Sequence, residues 1–459
     1  MMSAQTTVVG LFADNGAAWL EADQYCREER LICIPLPAFF TPKQLQWAVQ
    51  SSGMSTVLTD QPSLPLWSTL GFEPAGLQCG LVRLQREASP IAMPTNTAKI
   101  TFTSGSTGNP KGVCLSRDAM DAVATSIASI MQTMGLKRHL SALPLAVLLE
   151  NVAGVDAARL ACVECITPSL ADIGWKGSSQ WDAHAFLQCV QTQDINSAIL
   201  LPQMLKALLP VVGDYNISSL QLLAVGGARV ASDLLLQARN AGLPVYEGYG
   251  LSECASVVAF NRVGADKPGT VGKPLPHVQV RLNSDSELEI CGARFLGYLG
   301  DDVNEQVDVS SAPNADTTWL ATGDLAHIDD EGFLSIIGRK KNLLISSFGR
   351  NISPEWVESE LLAQAGILQA AVFGEAKPVL SAVIFAPALG EAALQAAVAI
   401  ANSALPDYAQ IQHVIRAAES FSASFCSESN SCLATSNGRN KRDAIAVFYS
   451  QALTQCYAQ

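Results

Sequence analysis

Charged residues are scarce in this chain: 15% of its residues are Asp, Glu, Lys or Arg, whereas 49% are apolar. A composition of this kind excludes extensive disorder and is typical of a compact globular protein. Positive charge is the scarcer sign, since 29 Lys and Arg stand against 42 Asp and Glu and the net charge is −13. Nucleic acids and anionic membranes are therefore not expected as the main partners.

Long apolar runs are also missing. Runs such as Ala142–Leu149 are far too short to span a bilayer. The first residues lack the basic segment that opens a signal peptide. We therefore predict no integral membrane association and a cytoplasmic location.

Histidine is rare, and cysteine shows no metal pattern. None of the five dispersed His residues lies in a recognisable nucleophile motif, so none is predicted to be catalytic. Twelve Cys residues are scattered along the chain. The pair Cys162 and Cys165 has no second CxxC and no His at zinc spacing. Reduced, mostly buried thiols are the better interpretation.

The segment Ile100–Leu115 reads as an apolar strand, a loop of hydroxyl and glycine residues, a lone lysine and a second apolar stretch. The loop residues are Thr103, Ser104, Gly105, Ser106, Thr107 and Gly108, and the lysine is Lys111. Glycines let backbone N–H groups converge on an anion, to which hydroxyls and an ammonium add donors. Pro110 and Gly112 exclude a Walker A loop, which needs Gly before the Lys and Ser or Thr after it. A surface linker is the alternative, but the pattern favours a phosphate-binding loop.

This loop, read as TSGSTGNPKG from Thr103, resembles the signature of the adenylate-forming superfamily (acyl-CoA synthetases, luciferases and adenylation domains of peptide synthetases). Further motifs follow in the family's order. Tyr249–Glu253 resembles YGxTE, Thr322–Asp324 is similar to TGD, Gly338–Asn342 resembles GRxKD with Asn at the end, and Asn437–Arg439 stands where the family has NGK. The chain is most similar to acyl-CoA synthetases and fatty-acid–AMP ligases.

Alternating strand and helix patterns predict an α/β fold with doubly wound sheets in a large N-terminal domain, residues 1–338. Short strands and turns predict a small β-rich subdomain at about 269–338. The resemblance implies a hinge at Gly338–Asn342 and a small mobile α+β C-terminal domain, residues 339–459. Residues 61–95 are predicted to be a loop-rich connection, and Ser420–Ser436 a mobile loop.

The resemblance also implies the nucleotide contacts. Lys111 and the Thr103–Gly108 loop would hold the β- and γ-phosphates of ATP, while Ser252 would bond the α-phosphate. Glu253 suits a Mg²⁺ ligand, because magnesium takes one or two carboxylates and completes its shell with phosphates and water. A solvated loop carboxylate is the alternative for Glu253.

The adenosine contacts follow in the same way. Tyr249 would stack on adenine, and the backbone of Gly226, Gly227 and Ala228 would line the same pocket, with Gly250 allowing close approach. Asp324 would accept hydrogen bonds from the ribose hydroxyls, and Arg339 would contact the ribose from the domain junction. Gly349 matches a glycine that gives a pantetheine arm close passage.

The terminal motif departs from the family. The family's lysine reaches into the site for the first half-reaction, and here Arg439 stands in its place with Lys441 two residues later. Arg keeps the charge, but its planar fork does not reproduce an ammonium. Arg439 acting in that role, Lys441 substituting for it, and slow adenylation are three open alternatives.

These patterns predict an ATP-dependent acid–thiol ligase that forms an acyl-adenylate, releases pyrophosphate and passes the acyl group to a pantetheine thiol. The apolar run from Pro144 suggests a medium- or long-chain fatty acid, and Glu150 is equally compatible with a structural role and a substrate contact. The acceptor would be CoA or the phosphopantetheine of an acyl carrier protein supplied in trans. The alternatives are an acyl-adenylate former with a non-thiol acceptor and a nucleotide- or acyl-binding protein with impaired adenylation.

Overall fold

The computed structural model of the protein describes residues 7–61, 64–103, 110–177, 180–301, 319–426, 431–435 and 439–457. The strands of the first half are β1 Val8–Phe12, β2 Ile32–Pro35, β3 Thr56–Thr59, β4 Glu73–Gln78, β5 Leu81–Gln85, β6 Thr97–Thr103, β7 Lys111–Ser116, β8 Arg138–Leu140, β9 Glu164–Ile166, β10 Trp175–Lys176, β11 Gln180–Trp181, β12 Ser197–Leu200, β13 Leu222–Val225 and β14 Val245–Leu251. Those that follow are β15 Ser256–Phe260, β16 Lys273–Pro274, β17 Val278–Leu282, β18 Glu287–Gly292, β19 Gly297–Tyr298, β20 Leu320–Ile328, β21 Leu334–Arg339, β22 Leu344–Ile345, β23 Asn351–Ile352, β24 Gln369–Phe373, β25 Leu380–Phe385, β26 Ile411–Arg416, β27 Phe425–Cys426 and β28 Ser431–Cys432.

Helices separate most of these strands. The α-helices are α1 Ala17–Glu28, α2 Pro42–Ser51, α3 Pro65–Thr69, α4 Arg117–Thr133, α5 Ala157–Leu160, α6 Ala183–Thr192, α7 Pro202–Leu208, α8 Ser232–Asn240, α9 Pro354–Ala363, α10 Glu391–Ser403, α11 Arg442–Phe448 and α12 Ser450–Cys456. A π-helix covers Leu149–Asp156, and short 3₁₀ helices cover Val212–Asp214, Ser252–Cys254, Lys340–Asn342 and Asp407–Ala409.

The first sheet has eight strands in the order β19-β7-β6-β2-β1-β3-β5-β4. Its centre is parallel, since β1 pairs in parallel with β2 and β3. Side chains alternate between the two faces of a strand. Leu11 therefore packs against Trp19 of α1, whereas Val8 belongs to the cluster that contains Leu45 of α2. Helices thus cover both faces, which is the doubly wound arrangement.

The second sheet has seven strands in the order β16-β15-β14-β13-β12-β8-β9. Strands β9, β8, β12, β13 and β14 are parallel, and β15 and β16 extend the sheet antiparallel. The largest hydrophobic cluster of the chain packs around this sheet and includes Val123 of α4 and Leu223 of β13. In such sheets, ligands bind beyond the carboxyl ends of the parallel strands.

The remaining sheets are smaller. Strands β17, β18, β20 and β21 form a four-stranded antiparallel sheet, with its own cluster around Leu288 and Leu334. The C-terminal domain contains the three-stranded sheet β24-β25-β26. Its two hydrophobic clusters centre on Val372 and on Phe421.

The predicted α/β class with two domains is confirmed. The division at residue 338 stays a prediction, although β21 ends one residue later and the next 3₁₀ helix covers Lys340–Asn342. The prediction of a loop-rich connection at 61–95 is wrong: β4 and β5 form a hairpin there, β5 pairs with β3, and β4 is the edge strand of the first sheet. Partly exposed edge strands do not show the apolar run of a buried strand, which explains the error.

The prediction of a mobile loop at 420–436 is wrong for the described part of that segment. Phe421 is fully buried, and Leu433 belongs to the same cluster. Strands β27 and β28 pair antiparallel. Apolar anchors spaced along a serine-rich sequence therefore fix the described part of this segment to the C-terminal domain. Among the described residues, no helix has the length and apolarity that crossing a membrane requires.

Candidate active site

A cleft of about 3140 Å³ opens beyond the carboxyl ends of β12, β13 and β14. Its walls come from the loop that follows β13, from the end of β14, from β20 and β21, and from the C-terminal domain. Most residues that the motifs single out line this one cleft. They are Thr103, Lys111, Gly226, Gly227, Ala228, Tyr249, Gly250, Ser252, Glu253, Asp324, Arg339, Arg439 and Lys441.

Tyr249, Asp324 and Arg339 form one hydrogen-bonded group. The Tyr249 hydroxyl donates to Oδ2 of Asp324, and Nε of Arg339 lies 2.8 Å from Oδ1 of the same carboxylate. Strand pairing explains the contact between Asp324 and Arg339, because they are direct partners in β20 and β21. The group joins the second sheet to the strand that leads into the C-terminal domain.

The surroundings of this group shift its pKa values. Burial raises the pKa of the Asp324 carboxyl above its ordinary value, and the nearby Arg339 guanidinium opposes this shift. Burial and the adjacent Asp324 carboxylate raise the pKa of the Tyr249 phenol. The phenol therefore stays a donor and fixes the orientation of a carboxylate that faces the cleft.

Three glycines shape the backbone at the cleft wall. Gly227 has a φ of 80°, a conformation that glycine adopts without strain. A Cβ placed on Gly250 would lie 1.6 Å from the carbonyl oxygen of Ser256, so the pairing of β14 with β15 leaves no room for a side chain. A Cβ placed on Gly226 would lie 3.1 Å from the carbonyl oxygen of Gly248, so space is limited there as well.

Glu253 is connected to Lys111 through Tyr298, which the motifs did not identify. The Tyr298 hydroxyl donates to Oε1 of Glu253 at 2.9 Å, and Nζ of Lys111 lies 5.0 Å from the centre of the Tyr298 ring. Tyr298 reaches this position because β19 pairs with β7, the strand that Lys111 begins. Lys111 is exposed at the cleft.

The donor set at Glu253 fits magnesium held mainly by a nucleotide. Among the described residues, no group of three or more His, Cys, Asp or Glu side chains could hold a metal ion. One carboxylate suffices when phosphate oxygens and water supply the other ligands of Mg²⁺. Glu253 lines the cleft, and Tyr298 engages its Oε1.

Arg439 and Lys441 differ in their contacts with the cleft wall. A guanidinium nitrogen of Arg439 lies 3.5 Å from the carbonyl oxygen of Gly227, so this side chain reaches from the C-terminal domain to the cleft wall. The pKa of Arg439 is lowered because the cleft walls shield its guanidinium from solvent and because the positive charge of Arg339 lies nearby. Lys441 also lines the cleft, and it directly precedes α11, with its backbone N–H donating to Leu433.

Two predicted elements lie apart from this group. Ser104, Gly105, Ser106, Thr107 and Gly108 lie outside the described residues, and Thr103 is the last residue before that gap. Gly349 has a φ of 71° in the turn between β22 and β23 and is absent from the residues that line the cleft. Its structural environment is that of a turn glycine.

One wall of the cleft is apolar. Pro144 and the residues Ala146–Leu149 line it, as do Ile130 and Met131 near the end of α4. Aliphatic side chains also come from Ala198 and Ile199 of β12. An apolar group attached to a reacting carboxylate would find a matching surface here.

A buried polar network interrupts this apolar wall. Nδ1 of His139 lies 3.0 Å from the Ser197 hydroxyl, and Nε2 of His139 lies 3.0 Å from Oε1 of Glu150. The Leu143 N–H donates to the other oxygen of Glu150. All three polar side chains are at most 1% exposed, and the arrangement ties β8 and β12 to the π-helix. Of the two readings of Glu150, the contacts favour the structural one.

Glu247, the third residue of β14, is a buried carboxyl that the motifs missed. Burial raises its pKa to about 8, and the Arg229 guanidinium opposes the shift. In the unfolded chain the carboxyl has its ordinary pKa, so only the folded state keeps the proton between these values. The free energy of unfolding therefore falls as pH rises through this window.

Replacing Glu247 by Gln should remove that pH dependence. We expect Glu247→Gln to raise the free energy of unfolding by about 1–3 kcal/mol at pH 7, and by much less at pH 5. Urea unfolding at the two pH values measures the difference. An equal change at both values would contradict the assignment of the protonated carboxyl.

The arrangement defines a two-domain α/β protein whose cleft combines glycine-lined backbone, the carboxylates of Glu253 and Asp324, and several cationic side chains. A family model described as AMP-binding enzyme matches residues 4–299, and the chain belongs to this family. The predicted resemblance is thereby confirmed.

Acid–CoA ligases are found among the relatives of this chain. A long-chain-fatty-acid–CoA ligase of Mycobacterium bovis is 42% identical over 160 residues, 35% of this chain and 26% of the relative. A 2-succinylbenzoate–CoA ligase of Bacillus cytotoxicus is 28% identical over 373 residues, 75% of this chain and 70% of the relative. The chain thus spans about a quarter of the first of these relatives and more than two thirds of the second.

Solved structures show the same fold. An anthranilate CoA ligase in complex with anthranoyl-AMP superimposes with a TM-score of 0.76 at 18% identity, covering 98% of this chain and 88% of that one. An amide bond synthetase of Marinactinospora thermotolerans gives 0.72 at 20% identity, covering 98% and 91%. The O-succinylbenzoate coenzyme A synthetase of Bacillus subtilis, in complex with ATP and magnesium, gives 0.70 at 20% identity, covering 96% and 89%.

Proposed function

We propose that the protein is an AMP-forming acid–CoA ligase. The observation that carries the proposal is the convergence of Lys111, Glu253, Asp324 and Arg439 on one cleft in a member of the AMP-binding enzyme family. Acid–CoA ligases are also prominent among the relatives of this chain. Such a ligase activates a carboxylic acid with ATP and transfers the acyl group to CoA.

The cleft provides separate surfaces for adenosine and phosphate. Tyr249 and the backbone of Gly226–Ala228 offer a flat surface for adenine. The Asp324 carboxylate, held by Tyr249 and Arg339, accepts hydrogen bonds from ribose hydroxyls. Lys111 and Ser252 face the phosphates from two different elements.

Glu253 would hold Mg²⁺ together with phosphate oxygens of ATP. When bound, the ion neutralises charge that builds up on the phosphates. Tyr298 donates to one oxygen of Glu253 and so fixes the orientation of the carboxylate. The Lys111 ammonium adds positive charge beside the same tyrosine.

The reaction joins two anions, so the site must neutralise both. A carboxylate oxygen of the acid forms a bond to the α-phosphorus as the bond to the β-phosphate oxygen breaks, giving acyl-AMP and pyrophosphate. Arg439 would bring its guanidinium to the point where the two anions meet and would stabilise the crowded phosphorus. A thiolate of CoA then attacks the acyl carbonyl, forming the thioester and releasing AMP.

A medium- or long-chain fatty acid is the proposed substrate. The apolar wall formed by Ala146–Leu149 and by Met131 supports an acid with an apolar body. The fatty-acid ligase among the relatives agrees, although the 2-succinylbenzoate and indoleacetate ligases make aryl acids the second candidates. The buried polar network of His139 gives no reason to prefer a fatty acid or an aryl acid, because its polar atoms bond to one another.

The proposed acceptor is the pantetheine thiol of CoA. The phosphopantetheine thiol of an acyl carrier protein is the alternative thiol acceptor. An amine is the alternative non-thiol acceptor, because an amide bond synthetase has the same fold. A different candidate function is that of a nucleotide- or acyl-binding protein with impaired adenylation. This candidate is motivated by Arg439, which stands where the family has lysine.

Product analysis tests this function. The protein is incubated with ATP, Mg²⁺ and one acid from a panel of fatty and aryl acids, with CoA present or absent, and products are identified by mass spectrometry. The proposal predicts AMP and a fatty acyl-CoA only when CoA is present. Acyl-AMP that accumulates unchanged with CoA present would point to a different acceptor.

A further inference from the structure

Lys206 connects the two domains. It lies in the last turn of α7, which follows β12 in the N-terminal domain. Its ammonium donates to three main-chain carbonyl oxygens of the C-terminal domain: that of Leu362, that of Gln364 at 2.5 Å and that of Ile367 at 3.1 Å. Three donors thus meet three acceptors across the cleft.

Two of the acceptors, the carbonyls of Leu362 and Gln364, lie where helix α9 ends, and the third belongs to Ile367, four residues beyond the helix. The last carbonyls of a helix lack intrahelical partners and carry the negative end of the helix dipole. A lysine ammonium has three donors and no acceptor, so it satisfies this set completely. Burial lowers the pKa of Lys206 to about 8, as expected for an ammonium enclosed by neutral partners. Among the described residues, no carboxylate forms an ion pair with it.

The contact fixes the domain orientation in which Arg439 reaches the cleft. Arg439 touches the carbonyl of Gly227, and Ala363, at the end of α9, packs against the large core cluster of the N-terminal domain. Among the described residues, Lys206 is the only side chain that binds several main-chain carbonyls of the other domain. Breaking it would free α9 and, with it, the domain that carries Arg439.

We propose that Lys206 is a positioning residue that holds the C-terminal domain in the adenylating orientation and thereby places Arg439 at the reacting phosphate. The inference rests on the proposed function. Lys206 would act before the thiol step, because its bonds exist in the orientation in which Arg439 lines the cleft. Transfer of the acyl group to CoA would not need it.

The test separates the two half-reactions in Lys206→Met, which keeps the length of the side chain and removes the donors. We expect acid-dependent exchange of pyrophosphate into ATP to fall about tenfold, with little change in the KM for ATP. Conversion of supplied acyl-AMP and CoA to acyl-CoA should be unchanged or faster. Lys206→Arg should recover most of the exchange, because a guanidinium can bond the same carbonyls. Lys43→Met, at an exposed site on α2, is the control and should match the unsubstituted protein.

Small-angle X-ray scattering gives a readout that does not depend on activity. Lys206→Met should scatter as a more extended particle than the unsubstituted protein and Lys43→Met. Equal losses in both half-reactions, or an unchanged scattering curve together with unchanged exchange, would overturn the proposal. If the unsubstituted protein shows no exchange with any acid, the proposed function fails, and the scattering comparison still decides whether Lys206 holds the domains together.

Discussion

Replacing Arg439 by alanine should lower acid-dependent pyrophosphate exchange by about 10²–10³-fold, the loss seen when a donor to a developing charge is removed. Lys441→Ala should stay within about threefold of the unsubstituted protein, since its ammonium lacks the contact that directs Arg439 to the cleft wall. Arg439 reaches Gly227, whereas Lys441 directly precedes α11. Exchange of labelled pyrophosphate into ATP measures both variants at saturating ATP and acid.

Arg439→Lys is the matched control for this pair. An ammonium is a compact point charge, whereas a guanidinium is a planar fork, and both keep the positive charge. We expect Arg439→Lys to retain exchange well above that of Arg439→Ala. A large loss in Lys441→Ala, with Arg439→Ala nearly unaffected, would assign the role to Lys441 instead.

Glu253→Gln should lower the same exchange by about 10²–10³-fold at low millimolar magnesium, because the neutral amide is a poor ligand for a hard cation and no longer offsets its charge. The loss should shrink as magnesium is raised, since the phosphates of ATP still bind the ion. The half-maximal magnesium concentration of exchange is the quantity to measure.

Two comparisons make the magnesium result specific. Glu87→Gln, at an exposed position away from the cleft, should leave the magnesium dependence unchanged. Tyr298→Phe removes the hydroxyl that donates to Glu253 and should raise the half-maximal magnesium concentration only modestly. A loss in Glu253→Gln that is the same at every magnesium concentration would contradict metal binding by this carboxylate.

The sequence allowed the site to be anticipated wherever the chemistry lies in a local motif. Tyr249–Glu253 is one continuous segment, because the end of a central strand and the turn after it place a ring, a hydroxyl and a carboxylate in the same cleft. Asp324 and Arg339 lie fifteen residues apart, yet they meet because two consecutive antiparallel strands bring them into register. The order of the motifs along the chain was therefore enough to predict that these residues share one site.

The contacts missed by sequence reasoning are those made between distant elements. Tyr298 lies in a two-residue strand whose pairing with β7 leaves no sequence pattern. His139, Ser197 and Glu150 come together because β8 and β12 are neighbours in register, although 58 residues separate the first two. Lys206 binds backbone carbonyls, which every sequence supplies, so no partner could be read from the residue types.

Acid-dependent exchange of pyrophosphate into ATP by the unsubstituted protein, with nucleotide binding measured in parallel, decides whether the protein activates an acid. We expect exchange that requires Mg²⁺ and an acid with an apolar body. ATP binding at the cleft without exchange for any fatty or aryl acid would contradict this expectation, and would show that a chain with Arg439 in this position binds the nucleotide without activating an acid.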